Sequence, residues 1–325
     1  MNLRSPTRRA LLKSAAALPL LTFAAGAFGQ SGYPDRPIKI VMTLPAGTSA
    51  DTMARYVADQ MSKDLGQPVV VDNRPGASSN IGYRTAAEAD ADGYTLLYGL
   101  LSLILNPQLF NQVPYEPEDF TPVIRLLDVP FVLVVRSDAP YQSVADLIET
   151  AKQSPGKLKY PSYGIGSPNH IAVLQMIQNS GAEMTHVPYK DGGLSDLLGG
   201  ALDFSLDVTA TTISHIKAGT LRPLVVSTEN RIDVLPDTPT FSEAGIGAPL
   251  YSWNGVFARS GTPQEIIDRL SASLQKITTS EEFHAKVADF VQVPRGGTPE
   301  DFATSLATET ENWGRVIKAA NLKIE

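Results

Sequence analysis

The 325-residue chain contains no cysteine, only two tryptophans and only four histidines. The first absence excludes a disulfide scaffold, a thiolate metal site and a cysteine nucleophile. The histidines, His170, His186, His215 and His284, are scattered, and no pair has the spacing of a metal motif. Basic residues are also scarce: 27 Lys and Arg stand against 34 Asp and Glu, a net charge of −7, with no basic tract. Nucleic acid, which is held chiefly by phosphate neutralisation, is therefore not an expected partner. The sequence carries neither the Gly-Lys-Ser/Thr of a phosphate loop nor a G-x-G-x-x-G after its first strand pattern, so nucleotide binding has no support. No cofactor is expected.

What is present begins with a segment of its own composition. Residues 1–29 hold Arg4, Arg8, Arg9 and Lys13 and no acid, then an alanine-rich apolar run broken by Pro19. The run is too short to cross a bilayer and ends in small residues, Ala25-Gly26-Ala27 or Ala27-Phe28-Gly29, suited to cleavage. This is the pattern of an export signal, so the mature protein is expected outside the cytoplasm. The paired Arg8-Arg9 suits twin-arginine export, with the general secretory route as the alternative. Removing the four bases leaves 23 basic against 34 acidic residues, a net charge of −11. Long-range steering then opposes an anionic ligand, and an anion site has to rely on local donors and helix dipoles.

The remaining length suggests two domains. A strand pattern from Ile38 is followed by a turn at Pro45-Ala46-Gly47 and by Met53, Val57, Met61 and Leu65 at helical spacing. Strands are then expected at 69–71 and 95–98, with a helix up to about Ala89 between them. The alternation restarts with an apolar strand at 131–135, a helix over 144–153 and a strand at Lys159-Tyr160, read as the start of a second domain. Further strands are expected at 184–187, 204–206 and 224–227, with helices over 171–179 and 212–218. Such repeated strand–helix–strand units imply an α/β fold with parallel-rich sheets and flanking helices. The proline-punctuated loop 235–240 is expected at the surface. Thr262-Pro263-Gln264-Glu265 and Thr298-Pro299-Glu300-Asp301 both read as capping boxes that open C-terminal helices.

Two polar loops lie between a strand and a helix. In the first, Thr48 and Ser49 offer hydroxyl donors, and Ser49 or Asp51 is placed to cap the helix; the loop is either an anion site at a helix N-terminus or a simple cap. In the second, Tyr163, Gly164, Gly166, Ser167, Asn169 and His170 again bring small residues and donors before a helix. Ligands in open parallel sheets sit beyond the carboxyl ends of the strands, so one loop per domain can grip one small anion. His170 is either a structural histidine or a ligand contact, and Asp207, at a strand end, either meets the ligand or satisfies nearby backbone. An exported hydrolase or isomerase using Ser167 or His170 is the alternative, although Gly164-Ile165-Gly166-Ser167-Pro168 lacks the G-x-S-x-G order.

At this point the residues match a known pattern. Tyr33-Pro34-Asp35-Arg36-Pro37-Ile38, Asp72-Asn73-Arg74-Pro75-Gly76-Ala77 within the longer run from Gly66, Ala91-Asp92-Gly93-Tyr94-Thr95-Leu96-Leu97, and His186-Val187-Pro188-Tyr189-Lys190 fall in order. Together with Asp196-Leu197-Leu198-Gly199-Gly200 and Leu235-Pro236-Asp237-Thr238-Pro239-Thr240, they resemble the periplasmic solute-binding proteins of tripartite tricarboxylate transporters along nearly the whole mature chain. The resemblance implies a two-lobed type II periplasmic-binding-protein fold that is not an enzyme. It implies a first domain of 30–131 and 252–325, a second of 132–251, and a monomer that delivers a small mono- or dicarboxylate to membrane transporter subunits. It also carries ligand contact onto Ala46, Gly47, Thr48, Ser49 and Asp51 and onto Tyr163 through His170. Three departures touch the site. Thr48 replaces a glycine, the segment 191–195 is short, and Leu100 to Leu105 is apolar with Ser102 as its only hydroxyl. Those leucines either pack the core or line the cavity with hydrocarbon and favour an acid with an aliphatic or aromatic body.

Overall fold

A computed structural model describes residues 32–189, 191–247 and 249–324. The export segment 1–29 lies outside the described residues.

The first lobe opens as the hydrophobic spacing requires. β1 (Ile38–Met42) leads to α1 (Ser49–Leu65), whose Met53, Val57, Met61 and Leu65 are all buried. Gly66, at φ 72°, ends the helix by donating its N–H to the Ser62 carbonyl. β2 (Val69–Asn73), α2 (Asn80–Ala87), β3 (Thr95–Leu100) and α3 (Ser102–Leu109) follow. β2 and β3 both pair in parallel with β1, the register of right-handed strand–helix–strand units.

β4 (Phe120–Arg136) differs from the sequence expectation. The apolar run at 131–135 is not a new strand but the second half of one 17-residue strand. Up to Pro130 it pairs antiparallel with β9 (Tyr251–Arg259); from Phe131 it pairs with β7 (Phe204–Val208) and β8 (Leu221–Val226). β4 thus belongs to both lobes, and its partners change between Pro130 and Phe131. Prolines at 122 and 130, which contribute no N–H, lie within this strand, and register shifts accompany it.

The second lobe adds α4 (Val144–Gln153), β5 (Lys159–Ser162), α5 (Pro168–Ser180), β6 (Thr185–Pro188), α6 (Leu194–Leu198) and α7 (Thr209–Lys217), with β5 and β6 paired in parallel. The loop at 235–240 is not wholly superficial. Leu235, Thr238 and Thr240 are buried, and Thr240 bridges to Val226, because this segment covers the end of β8.

The chain closes with α8 (Gln264–Thr278), α9 (Glu281–Asp289), β10 (Val293–Pro294) and α10 (Pro299–Ala319). Thr298 and Asp301 make the reciprocal bonds of a capping box at α10. At α8 the expected box is absent: Pro263 occupies the cap position, and Thr262 Oγ1 donates to the Arg259 carbonyl instead, 2.7 Å away. β10 pairs with β4 through Val293 and Pro294. Beneath the crossing strands Asp128 receives Arg125 Nε and Arg295 Nε, each at 2.5 Å, and Arg125 also reaches Glu309 of α10.

Candidate binding site

A cavity of about 460 Å³ lies where the strand-to-helix loops of both lobes meet. Its size is that of a small-ligand site. Ser49 and Ala50 at the start of α1, Ser78 and Ser79 just before α2, and Ser102 at the start of α3 line it from the first lobe. Ser167, Pro168 and Asn169 at the start of α5, and Val208 and Ala210 at the start of α7, line it from the second. Five helices therefore begin at one cavity, and each brings unpaired N–H groups and the positive end of its dipole. Among the described residues that line it there is no Lys, Arg, His, Asp or Glu. An anion placed here is held by neutral donors, backbone N–H groups, hydroxyls and side-chain amides, and not by a charged partner from these residues.

The first loop is built by Asp51. Its buried carboxylate accepts from Gly47 N–H (2.9 Å), Asn73 Nδ2 (2.8 Å) and Arg55 Nε (3.0 Å). Burial by itself would raise its pKa, but these hydrogen bonds outweigh it and hold the acid below its ordinary value. The helix cap is not Ser49 or Asp51 but Thr48, whose Oγ1 accepts from Asp51 N–H and donates to the Pro45 carbonyl. A glycine at 48 would leave Asp51 N–H without that acceptor. Ser49 alone of the polar loop residues lines the cavity; Ala46, Gly47, Thr48 and Asp51 do not.

The second loop is held by two stacked histidines. Gly166 N–H donates to His170 Nδ1 (3.1 Å), so the proton of that ring is on Nε2. The ring stacks on His186 at 3.8 Å between centroids, and His186 Nε2 lies 2.6 Å from Ser162 Oγ. Burial first, and His186 second, push His170 down to about 3, and burial lowers His186 as well. Both rings are thus neutral at physiological pH. Ser167 Oγ has two acceptors within reach, the Gly164 carbonyl (2.7 Å) and Asn169 Oδ1 (2.8 Å), and is not paired with His170. A nucleophile needs a base beside it, and the arrangement around Ser167 supplies acceptors of its proton that are not bases.

Of the second-loop residues named from sequence, Tyr163, Gly166, Ser167 and Asn169 line the cavity, while Gly164 and His170 support it from behind. Asp207 is 1% exposed and off the cavity surface; it accepts from Val208 N–H (2.7 Å) and Tyr163 OH (3.3 Å). Burial pushes its pKa up to about 6. Ser102 lines the cavity with its hydroxyl 2.6 Å from Tyr83 OH. The apolar run does two things at once. Leu103 and Ile104 pack the core, whereas Leu100, Leu101 and Leu105 also line the cavity.

Sequence reasoning did not find Ser78, Ser79, Asn106, Asn254, Gln292 or Ile324, all of which line the cavity. They come from segments remote in sequence, and only Gly76-Ala77-Ser78-Ser79, next to a recognised motif, carried a local signal. Ala77, Ser78 and Ser79 all have positive φ, of 47°, 54° and 75°. Asn106 Nδ2 fixes that turn by donating to the Ser78 carbonyl and to Asn80 Oδ1, both at 2.8 Å.

Two α/β lobes sharing a crossing strand, with a cavity at facing strand-to-helix loops, define the class of two-lobed solute-binding proteins. The model of the tripartite tricarboxylate transporter family receptor matches residues 53–322, and the chain belongs to that family. A UPF0065 protein from Pseudomonas sp. strain P51 is 34% identical over 306 residues, 93% of this chain and 91% of that protein. The structure of R. palustris Rpa4515 with adipate has a TM-score of 0.79 and 34% identity, covering 90% of this chain and all of the other. MatC from Rhodopseudomonas palustris with bound malate has a TM-score of 0.73 and 27% identity, covering 88% of this chain and all of the other, and a TctC solute-binding protein from Polaromonas has a TM-score of 0.79 and 29% identity, covering 88% of this chain and 99% of the other. The protein is accordingly a solute-binding receptor of this periplasmic family.

Proposed function

We propose that the receptor captures a small organic carboxylate between its lobes and delivers it to the membrane subunits of a tripartite tricarboxylate-type transporter. The observation that carries this reading is the convergence of five helix N-termini on a cavity whose described lining residues include no charged side chain. The hydrogen-bond ladders of α1 and α5 begin at Thr52 onto Thr48 and at Ile171 onto Ser167, so the N–H groups of Ser49, Ala50, Asn169 and His170 precede them. A carboxylate between these two helix ends receives donors from both lobes and favours their approach. The adipate and malate held by the two R. palustris relatives support the ligand class.

The domains divide at 131 and 252, as 30–131 with 252–325 and 132–251. The change of β4 partners after Pro130 and the start of β9 at Tyr251 support that division. Hinge motion about these two strands is the functional event, and ligand stabilises the closed state only by its greater affinity for it. The receptor works as an exported monomer whose first 29 residues are removed.

Calorimetric titration with organic acids and with their primary amides tests the reading. An acid is expected to bind one to one and its amide, equal in shape but uncharged, at least about tenfold more weakly, since charge-assisted hydrogen bonds are roughly twice as strong as neutral ones. Equal affinities would reject an anion site. The bound acid is expected to be recovered unchanged; its conversion would favour an exported hydrolase or isomerase.

A further inference from the structure

The polar rim of helix ends is only part of the cavity. Leu101, Leu105 and Leu109 enter it from the start and length of α3, Phe131 from β4, Ile165 from the loop before α5 and Ile324 from the C-terminal segment. The C-terminal segment is tied there by Ile324 N–H, which donates to the Leu109 carbonyl at 2.8 Å. Ile165 is 53% exposed, an uncommon state for a large aliphatic side chain in a concave wall. Lobe closure on a ligand with a hydrocarbon body covers it. Closure on a short hydroxylated acid instead sets hydroxyl groups against leucine and isoleucine, where a buried hydroxyl without a partner is penalised.

We propose that the ligand is a carboxylic acid with an unsubstituted hydrocarbon body, a chain or ring of at least the size found in hexanoate, adipate or benzoate, and that short hydroxy acids are discriminated against by the leucine and isoleucine wall. This rests on the carboxylate reading above. The carboxylate meets the helix ends, and the body lies against α3, Ile165 and Ile324.

The test is a calorimetric series on the mature protein with hexanoate, adipate, benzoate, malate and tartrate. At least one of the first three is expected to bind at least about tenfold more tightly than both hydroxy acids, the gain from covering one aliphatic side chain. Malate or tartrate binding as tightly as the best hydrocarbon acid overturns the proposal and leaves the carboxylate reading standing. Binding of none of a wider set of acids overturns both. Ile165→Ser, at an exposed position, is expected to fold normally and to weaken the best hydrocarbon acid about tenfold, with Ile165→Leu restoring it. Undiminished affinity in Ile165→Ser also overturns the proposal.

Discussion

Ser49 and Asp207 show how single side chains set the electrostatics of the cavity. Ser49 is exposed, begins α1 and lines the cavity. An aspartate there suits the helix dipole, so Ser49→Asp is expected to leave stability unchanged or slightly raised. It also places a negative charge beside the ligand, and at an effective dielectric constant near 20 that repulsion weakens acid binding by about a hundredfold or more. Titration of the variant checks this, and retained affinity would move the carboxylate away from α1. Asp207 is the converse case, an acid raised by burial. Its folded-state pKa of about 6 lies above the ordinary 3.8, so the native state holds its proton more tightly than the unfolded chain does. Stability from this group is therefore present below pH 4 and is lost as pH rises to about 6. Asp207→Asn removes that loss and is expected to gain up to about 3 kcal/mol at pH 7 and nothing below pH 4. Urea unfolding at the two pH values measures it; an equal change at both would show that Asp207 is not titrating.

The short turn before α2 stores strain. Three consecutive non-glycine residues at positive φ each cost on the order of 1 kcal/mol, and Asn106 holds them in place. Ser79→Gly is expected to stabilise the fold by about 1 kcal/mol in thermal unfolding, and a loss of stability would show that the Ser79 side chain contributes more than its backbone forfeits. Legibility in sequence follows the same local logic. α1 and α4 are readable because their apolar spacing is contained in the segment, and the α10 capping box because its reciprocal bonds join Thr298 and Asp301, three residues apart. Thr262 has the same signature yet turns to Arg259, a choice made by the geometry of the strand that ends there. Thr48 likewise takes the cap because Asp51 is already committed to Gly47, Asn73 and Arg55.

At the scale of the molecule, the two loops named from sequence flank one cavity, while most of its apolar wall and of its polar lining comes from other segments. Only the 131–135 half of the strand that joins the lobes is expected from sequence; the strand runs from Phe120 to Arg136 because β9 and then β7 and β8 supply its hydrogen bonds in turn. The paired Arg125, Asp128, Arg295 and Glu309 brace the strands just before that change of partners. The central claim, that an acid is held between the N-termini of α1 and α5 by N–H groups from both lobes, is tested most directly by a crystal structure of the protein with a bound acid. The account predicts carboxylate oxygens about 3 Å from N–H groups of residues 49–50 and 169–170 together. A carboxylate bound to one lobe only, or away from both helix ends, would contradict it.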